Sequence, residues 1–154
     1  FDTSRVTDMS FMFSFSAVES LDLSHFDTSR LNSMSYMFSN SSTLHTVDVT
    51  GWDTSNVKQM AFTFATCYSL VELDLSDWDT SNVTSMESMF TDCSSLTTMD
   101  LSGWDTSNMT SVASMFSGCS ALKAITLPDT VTGRIGVCVF DGSCELELHA
   151  FAFL

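Results

Sequence analysis

Carboxylates and thiols recur at fixed intervals along this chain, and both groups can do chemistry. Asp2, Asp27, Asp53, Asp79 and Asp105 each open an Asp-Thr-Ser triplet, with spacings of 25, 26, 26 and 26 residues. A second acidic row, Asp22, Asp48, Asp74 and Asp100, keeps the same interval. Rows of carboxylates suit a cation or a basic ligand. A Ca²⁺ ion, however, needs about six to eight oxygens around one point, and no Gly-rich Asp loop is present to gather them. Cys67, Cys93 and Cys119 form a third row, with Ser41 in the same column. A straight row cannot supply the corners of a tetrahedral metal site, and disulfide geometry is strict. That column therefore reads as small buried hydrophobes. His25, His45 and His149 share no column, and none stands at catalytic spacing from a repeated Cys or Ser. Neither a metal nor a cofactor is expected, and the chain reads as not an enzyme.

The interval matters more than any one residue in it. A repeat period of roughly 20 to 50 residues marks a solenoid, a propeller or an array. Each triplet follows an aromatic residue: Phe1, Phe26, Trp52, Trp78 or Trp104. Five residues on, the column is apolar: Val6, Leu31, Val57, Val83, Met109. Eight on stand Met9, Met34, Met60, Met86 and Val112, and twelve on stand Phe13, Phe38, Phe64, Phe90 and Phe116. Each copy closes with apolar-x-x-apolar-x-apolar, as in Leu70, Leu73 and Leu75. Its last two apolar positions alternate, which suits a short strand with one buried face. Earlier in the unit, Met86, Met89, Phe90 and Cys93 step by three or four, which suits one turn of α or 3₁₀ helix. The Asp-Thr-Ser triplet reads as a turn, because Asp and Ser side chains accept hydrogen bonds from nearby backbone.

One such unit cannot bury its apolar face, but a stack can. The expected fold is an α/β-type solenoid: a right-handed, leucine-rich-repeat-like superhelix with short helical or 3₁₀ turns and about six coils. One parallel sheet is expected over residues 21–23, 47–49, 73–75, 99–101 and 125–127. Residues 1–127 read as tandem repeats of 25 or 26 residues. Residues 128–154 read as a final shorter repeat and C-terminal cap, in which Cys138 and Cys144 could be a disulfide or two free thiols. The chain opens inside a repeat, without a basic-then-apolar leader, and reads as an excerpt of a longer protein.

Composition narrows the partners. Nineteen acids face five bases, for a formal charge of −14. Such a surface repels nucleic acid and anionic membranes. Charged residues are only 16% of the chain, and 44% is hydrophobic, too much for a disordered segment. No stretch approaches about 18 continuous apolar residues, so no membrane-spanning helix is expected. Three glycosylation sequons, at Asn40, Asn82 and Asn108, are what chance gives in a chain so rich in Ser, Thr and Asn.

The Leu-x-x-Leu-x-Leu segments resemble those of leucine-rich repeats, and the whole unit is more specific. The stretch LDLSDWDTSNVTSMESMFTDCSSL, residues 73–96, closely resembles the repeat of BspA-like bacterial surface proteins. That pattern joins W-D-T-S-N-V-T, M-x-x-M-F, a Cys three residues on, and S-L-x-x-L-D-L-S, and it covers residues 1–127. Residues 119–148 resemble the sister repeat of the same superfamily, except that Cys144 lies four residues after Phe140 rather than three. The resemblance implies an extracellular, cell-surface module that adheres to host or neighbouring-cell proteins through its repeat face. On that expectation the outward strand positions Asp22, Asp48, Glu72, Asp74, Thr98 and Asp100 are the candidate ligand-binding residues. A structural stalk is the alternative. Thr28, Thr54, Thr80 and Thr106 are expected to form an outward file, similar to the Thr files of ice-binding proteins, which makes an ice- or glycan-binding face a lesser reading.

Overall fold

The computed structural model describes residues 1–128 and the backbone of Glu147–Leu148. Cys138, Cys144 and His149 lie outside the described residues. The strands are β1 (Ser20–Asp22), β2 (Thr46–Asp48), β3 (Thr98–Asp100), β4 (Ala124–Thr126) and β5 (Glu147–Leu148). Equivalent residues of successive repeats lie side by side. Leu21 pairs with Val47 across β1–β2, and Met99 with Ile125 across β3–β4, both in parallel register. β5 adds to β4 in the same sense. The strands are short because an Asp ends most of them: Asp22 Oδ1 accepts the N–H of Ser24, and Asp100 Oδ1 that of Ser102. Such a bond turns the chain out of the ladder.

The expected single sheet is divided. Residues 73–75 form no strand, so β1–β2 and β3–β4–β5 are separate pieces. The break falls where Glu72 is added to the row of aspartates. Along another edge the stack is continuous, through parallel bridges from Asp8 to Ser33, Gln59, Ser85 and Ser111.

No helix occurs among the described residues. The helical turn expected after each Met is instead a run of overlapping reverse turns. In the second repeat, Met37, Ser39, Ser41 and Leu44 each donate to the carbonyl three residues back. The alternate N–H groups leave the repeat: Met34, Tyr36, Phe38 and Asn40 donate to Gln59, Ala61, Thr63 and Ala65. A helix would turn its later donors back into its own unit and leave this part of each unit joined to its neighbour by side chains alone. This arrangement divides the donors between the unit and its neighbour. It requires left-handed backbone at two positions per repeat, held by Phe11, Tyr36, Phe62, Ser88 and Ser114 and by Phe15, Asn40, Thr66, Asp92 and Gly118. A positive φ costs a non-glycine residue of the order of 1–2 kcal/mol, which the inter-repeat bonds offset.

The core is a set of ladders. Phe13, Phe38, Phe64, Phe90 and Phe116 stack with ring centroids 5.0 to 5.7 Å apart, and the last four are fully buried. Met34, Met60 and Met86 lie beside them, as do Leu44, Leu70 and Leu96, all sealed from solvent. Trp52 and Trp78 stack in parallel, and Trp52 Nε1 donates to Leu23 O of the preceding repeat at 2.9 Å.

The Thr file is a correction. Thr28, Thr54 and Thr80 are buried rather than outward. Thr54 Oγ1 donates to Asp79 O, and Thr80 Oγ1 donates to Asp105 O, both at 3.0 Å. These two hydroxyls are satisfied by the next repeat's backbone, whereas the buried Thr28 Oγ1 has no partner. Thr106, the last of the four, is half-buried, so the file is not an outward one.

Candidate functional site

The outward face of the strand segments carries the acidic row. Asp22 ends β1 and sits in register with Asp48 at the end of β2. Asp74 occupies the same place in the third repeat, and Asp100 ends β3. All four are exposed, as are Glu72 and Thr98. Five of the six candidate residues, Asp48, Glu72, Asp74, Thr98 and Asp100, line one groove of about 400 Å³. Asp22 lies one strand beyond it. Val47, Leu73 and Met99 are the central residues of the three segments that form the groove, and no Lys or Arg lines it.

Each carboxylate has work within its own turn. Asp48 Oδ1 accepts the N–H of Thr50 at 2.9 Å, and Asp74 Oδ1 that of Ser76 at 3.0 Å. The Ser24 hydroxyl and backbone N–H hold the Asp22 carboxyl below its ordinary range. Hydrogen bonds from the Ser76 N–H and hydroxyl do the same for Asp74. For Asp100 the Ser102 N–H leads, and nearby Asp74 opposes it. Asp22, Asp74 and Asp100 therefore stay charged to lower pH than an ordinary aspartate. The backbone bonds of Asp48 and Asp74 both fall on Oδ1. The triplet row repeats the device: Asp27 Oδ1 accepts both the N–H and the hydroxyl of Ser29. The turns were legible in the sequence there; the same duty in the strand row was not.

The thiol column is closed to outside chemistry. Cys67, Cys93 and Cys119 are free and buried. Their Sγ atoms donate to the carbonyls of Phe38, Phe64 and Phe90 at 3.2, 3.1 and 3.0 Å. Ser41 Oγ makes the equivalent bond to Phe13 O at 2.7 Å, which explains why Ser substitutes for Cys in this column. Burial pushes the Cys67 thiol up to about 12 and Cys93 well above its ordinary value. Protonated buried thiols are neither nucleophiles nor metal ligands. Among the described residues no three His, Cys, Asp or Glu side chains converge as a metal site requires. His45 Nδ1 lies 2.7 Å from Thr43 O, and His25 packs edge-on to Phe26. Neither lines the groove.

Two further surface features escaped the sequence reading. Asn56, Asn82 and Asn108 each donate a side-chain N–H to a serine carbonyl of the preceding repeat, at 2.7 to 2.9 Å. They form an asparagine ladder, and the repeated Asn after Asp-Thr-Ser was its signal. Phe11, Tyr36 and Phe62 stack on the outside with centroids 4.7 Å apart. Their common column was the only trace of that stack.

The sequence profile of a family described as "Mycoplasma protein of unknown function, DUF285" matches the chain twice, over residues 1–70 and 44–129. Overlapping matches are what a profile of several repeats gives on a repetitive chain. No curated protein and no solved structure matches significantly. No helix among the described residues is long and apolar enough to cross a membrane.

Proposed function

The chain belongs to the DUF285 family, and on that premise we propose that it is a non-enzymatic binding module of a cell-surface protein, taking a basic protein partner on its strand face. The fold we assign with it is a right-handed, leucine-rich-repeat-like solenoid of about six coils, and the finer assignment is the BspA-like pattern of residues 73–96. Parallel pairing of equivalent residues 26 positions apart supports the solenoid. The partner is an extracellular protein of a host or neighbouring cell. The observation that carries the reading is the groove: four carboxylates and no basic residue, on a face held by repeated turns. Charge of this kind steers an oppositely charged partner and is screened beyond about 8 Å at physiological salt.

A second reading has its own support. Asp22, Asp48, Asp74 and Asp100 all cap turns, and a stalk that binds nothing would keep them for that reason alone. The experiment that separates the readings is capture from extracellular-matrix and mucosal extracts, followed by a salt titration. Asp48 and Asp74 are then both replaced by Asn. Asn keeps an oxygen for the turn, so the fold is expected to survive with a melting temperature no lower than that of the unaltered protein. Association with the captured protein is expected to slow by about tenfold or more. Capture of nothing at about micromolar concentration favours the stalk. Unchanged association in the double variant moves the site off this face.

A further inference from the structure

We infer that the third repeat is a charge-held hinge: the crowding of Glu72 and Asp74 between Asp48 and Asp100 parts its strand segment from both neighbours, and removing that charge closes the two sheets into one. The inference concerns the free protein and stands whether or not the strand face has a partner.

The repeat itself provides the control. At the entry to the strand, His45 donates to Glu19 O at 2.8 Å, and Lys123 to Thr97 O at 2.9 Å. The two equivalent bonds that involve the third repeat, Val71 to His45 O and Thr97 to Val71 O, are each stretched to 3.4 Å. At the exit, Leu23 donates to Asp48 O at 2.9 Å, and Leu101 to Thr126 O at 2.8 Å. Their counterparts, from Val49 to Asp74 O and from Leu75 to Asp100 O, are not made. A side chain reports the opening on the side of the second repeat. Trp52 Nε1 and Trp104 Nε1 reach Leu23 O and Leu75 O, whereas buried Trp78 Nε1, whose counterpart acceptor is Val49 O, has no partner. Leu73 is only partly buried, whereas Val47 and Met99 on either side are buried.

The opening is one-sided. Across the same three repeats the bridges Ser33–Gln59 and Gln59–Ser85 are in place. Phe64 stacks on Phe38 at 5.0 Å and on Phe90 at 5.7 Å. A stack held along one edge and parted along the other flexes about the held edge.

Charge is the cause the residues support. The column of Glu72 reads Ser20, Thr46, Glu72, Thr98 and Ala124, so only the third repeat places a carboxylate two residues before its capping Asp. In a continuous sheet Asp74 would lie opposite Asp48 and Asp100, as Asp22 lies opposite Asp48, and Glu72 would add a carboxylate diagonal to both; like charges at such positions weaken strand pairing. Nothing else in the segment argues against a strand. Val71 and Leu73 are suitable strand residues, and neither Pro nor Gly interrupts them.

Amide hydrogen exchange, read by NMR on the full chain, tests the hinge. The N–H groups of Val49 and Leu75 are expected to exchange at least about tenfold faster than that of Leu101. In Glu72→Thr, which restores the residue of the flanking repeats, both are expected to slow to the rate of Leu101, and the Trp78 indole N–H with them. Salt near 1 M, where the screening length is about 3 Å, is expected to slow both in the unaltered protein. Val49 and Leu75 protected like Leu101 in the unaltered protein would overturn the hinge. Exchange that stays fast both in Glu72→Thr and in high salt would overturn charge as its cause.

Discussion

Thr80 Oγ1 gives a hydrogen bond to Asp105 O and receives one from Asp105 N at 2.9 Å. Replacing Thr80 by Val keeps the shape and strands both backbone groups. The expected cost is about 1–3 kcal/mol, the penalty for burying an unsatisfied polar group. Ser81→Ala, at the neighbouring, more exposed position, is expected to cost about 0.5 kcal/mol or less. Urea titration of the two variants measures the difference, and equal midpoints would mean that Thr80 does not hold the repeats together. The sequence could not announce this role. A small polar residue between Asp and Ser in a turn reads as outward, because its true acceptor lies 25 residues away. The Cys column was read more nearly, since its burial follows from residue type. Its hydrogen bond to the preceding Phe carbonyl follows only from the stacking distance.

The elements were legible where a side chain's period decides the outcome. The Phe, Met and Leu columns are buried as their spacing requires. The strands lie one residue earlier than the alternation suggests, because the capping Asp is the last residue of the ladder. The turn run was not legible. A step of three or four apolar residues fits a helix and fits overlapping reverse turns equally well. The choice depends on where alternate N–H groups go, and that is settled between repeats. Of the candidate site, the sequence placed the acidic row on an outward face. It did not place the groove, which exists because one segment departs from the pattern of the others. At this scale Phe90→Ala is expected to cost roughly 3–5 kcal/mol, since the cavity opens between Phe64 and Phe116 in a sealed core. Phe11→Ala removes a ring that is 58% exposed and stacked on one side only. Its cost is expected to be about 1 kcal/mol or less. Thermal melts of both variants check the contrast, and similar shifts would place the Phe90 column outside the core.

Acid response belongs to the molecule as a whole, because the capped carboxylates recur in every described repeat. Asp2, Asp27, Asp79 and Asp105 are held low chiefly by the hydroxyls of Ser4, Ser29, Ser81 and Ser107. Their folded pKa values lie below the unfolded value of about 3.9. Unfolding in acid therefore takes up protons, and stability falls as pH falls. The contribution is complete above that unfolded value and is lost as pH drops through the lower folded ones. The urea midpoint is expected to fall between about pH 5 and pH 2, and a midpoint rising over that range would contradict these turns. With a formal charge of −14, added salt at pH 7 is expected to raise stability rather than lower it.

The alternate amides carry one more consequence, at the level of inheritance. Tyr36 donates forward to Ala61, Phe62 to Glu87, and Ser88 to Ala113. Each unit offers the same donors to its successor and the same acceptors to its predecessor. A gene that duplicates or deletes one whole copy of 26 codons joins matching surfaces at the new seam and strands no buried amide. A gain or loss of part of a copy is accommodated only between ladders, as in the first copy, which is one residue short between Phe13 and Val18 and still keeps Phe13 on Phe38 and Leu21 beside Val47. The length of such an array is thus free to drift in whole units, while the ladder positions within a unit are not.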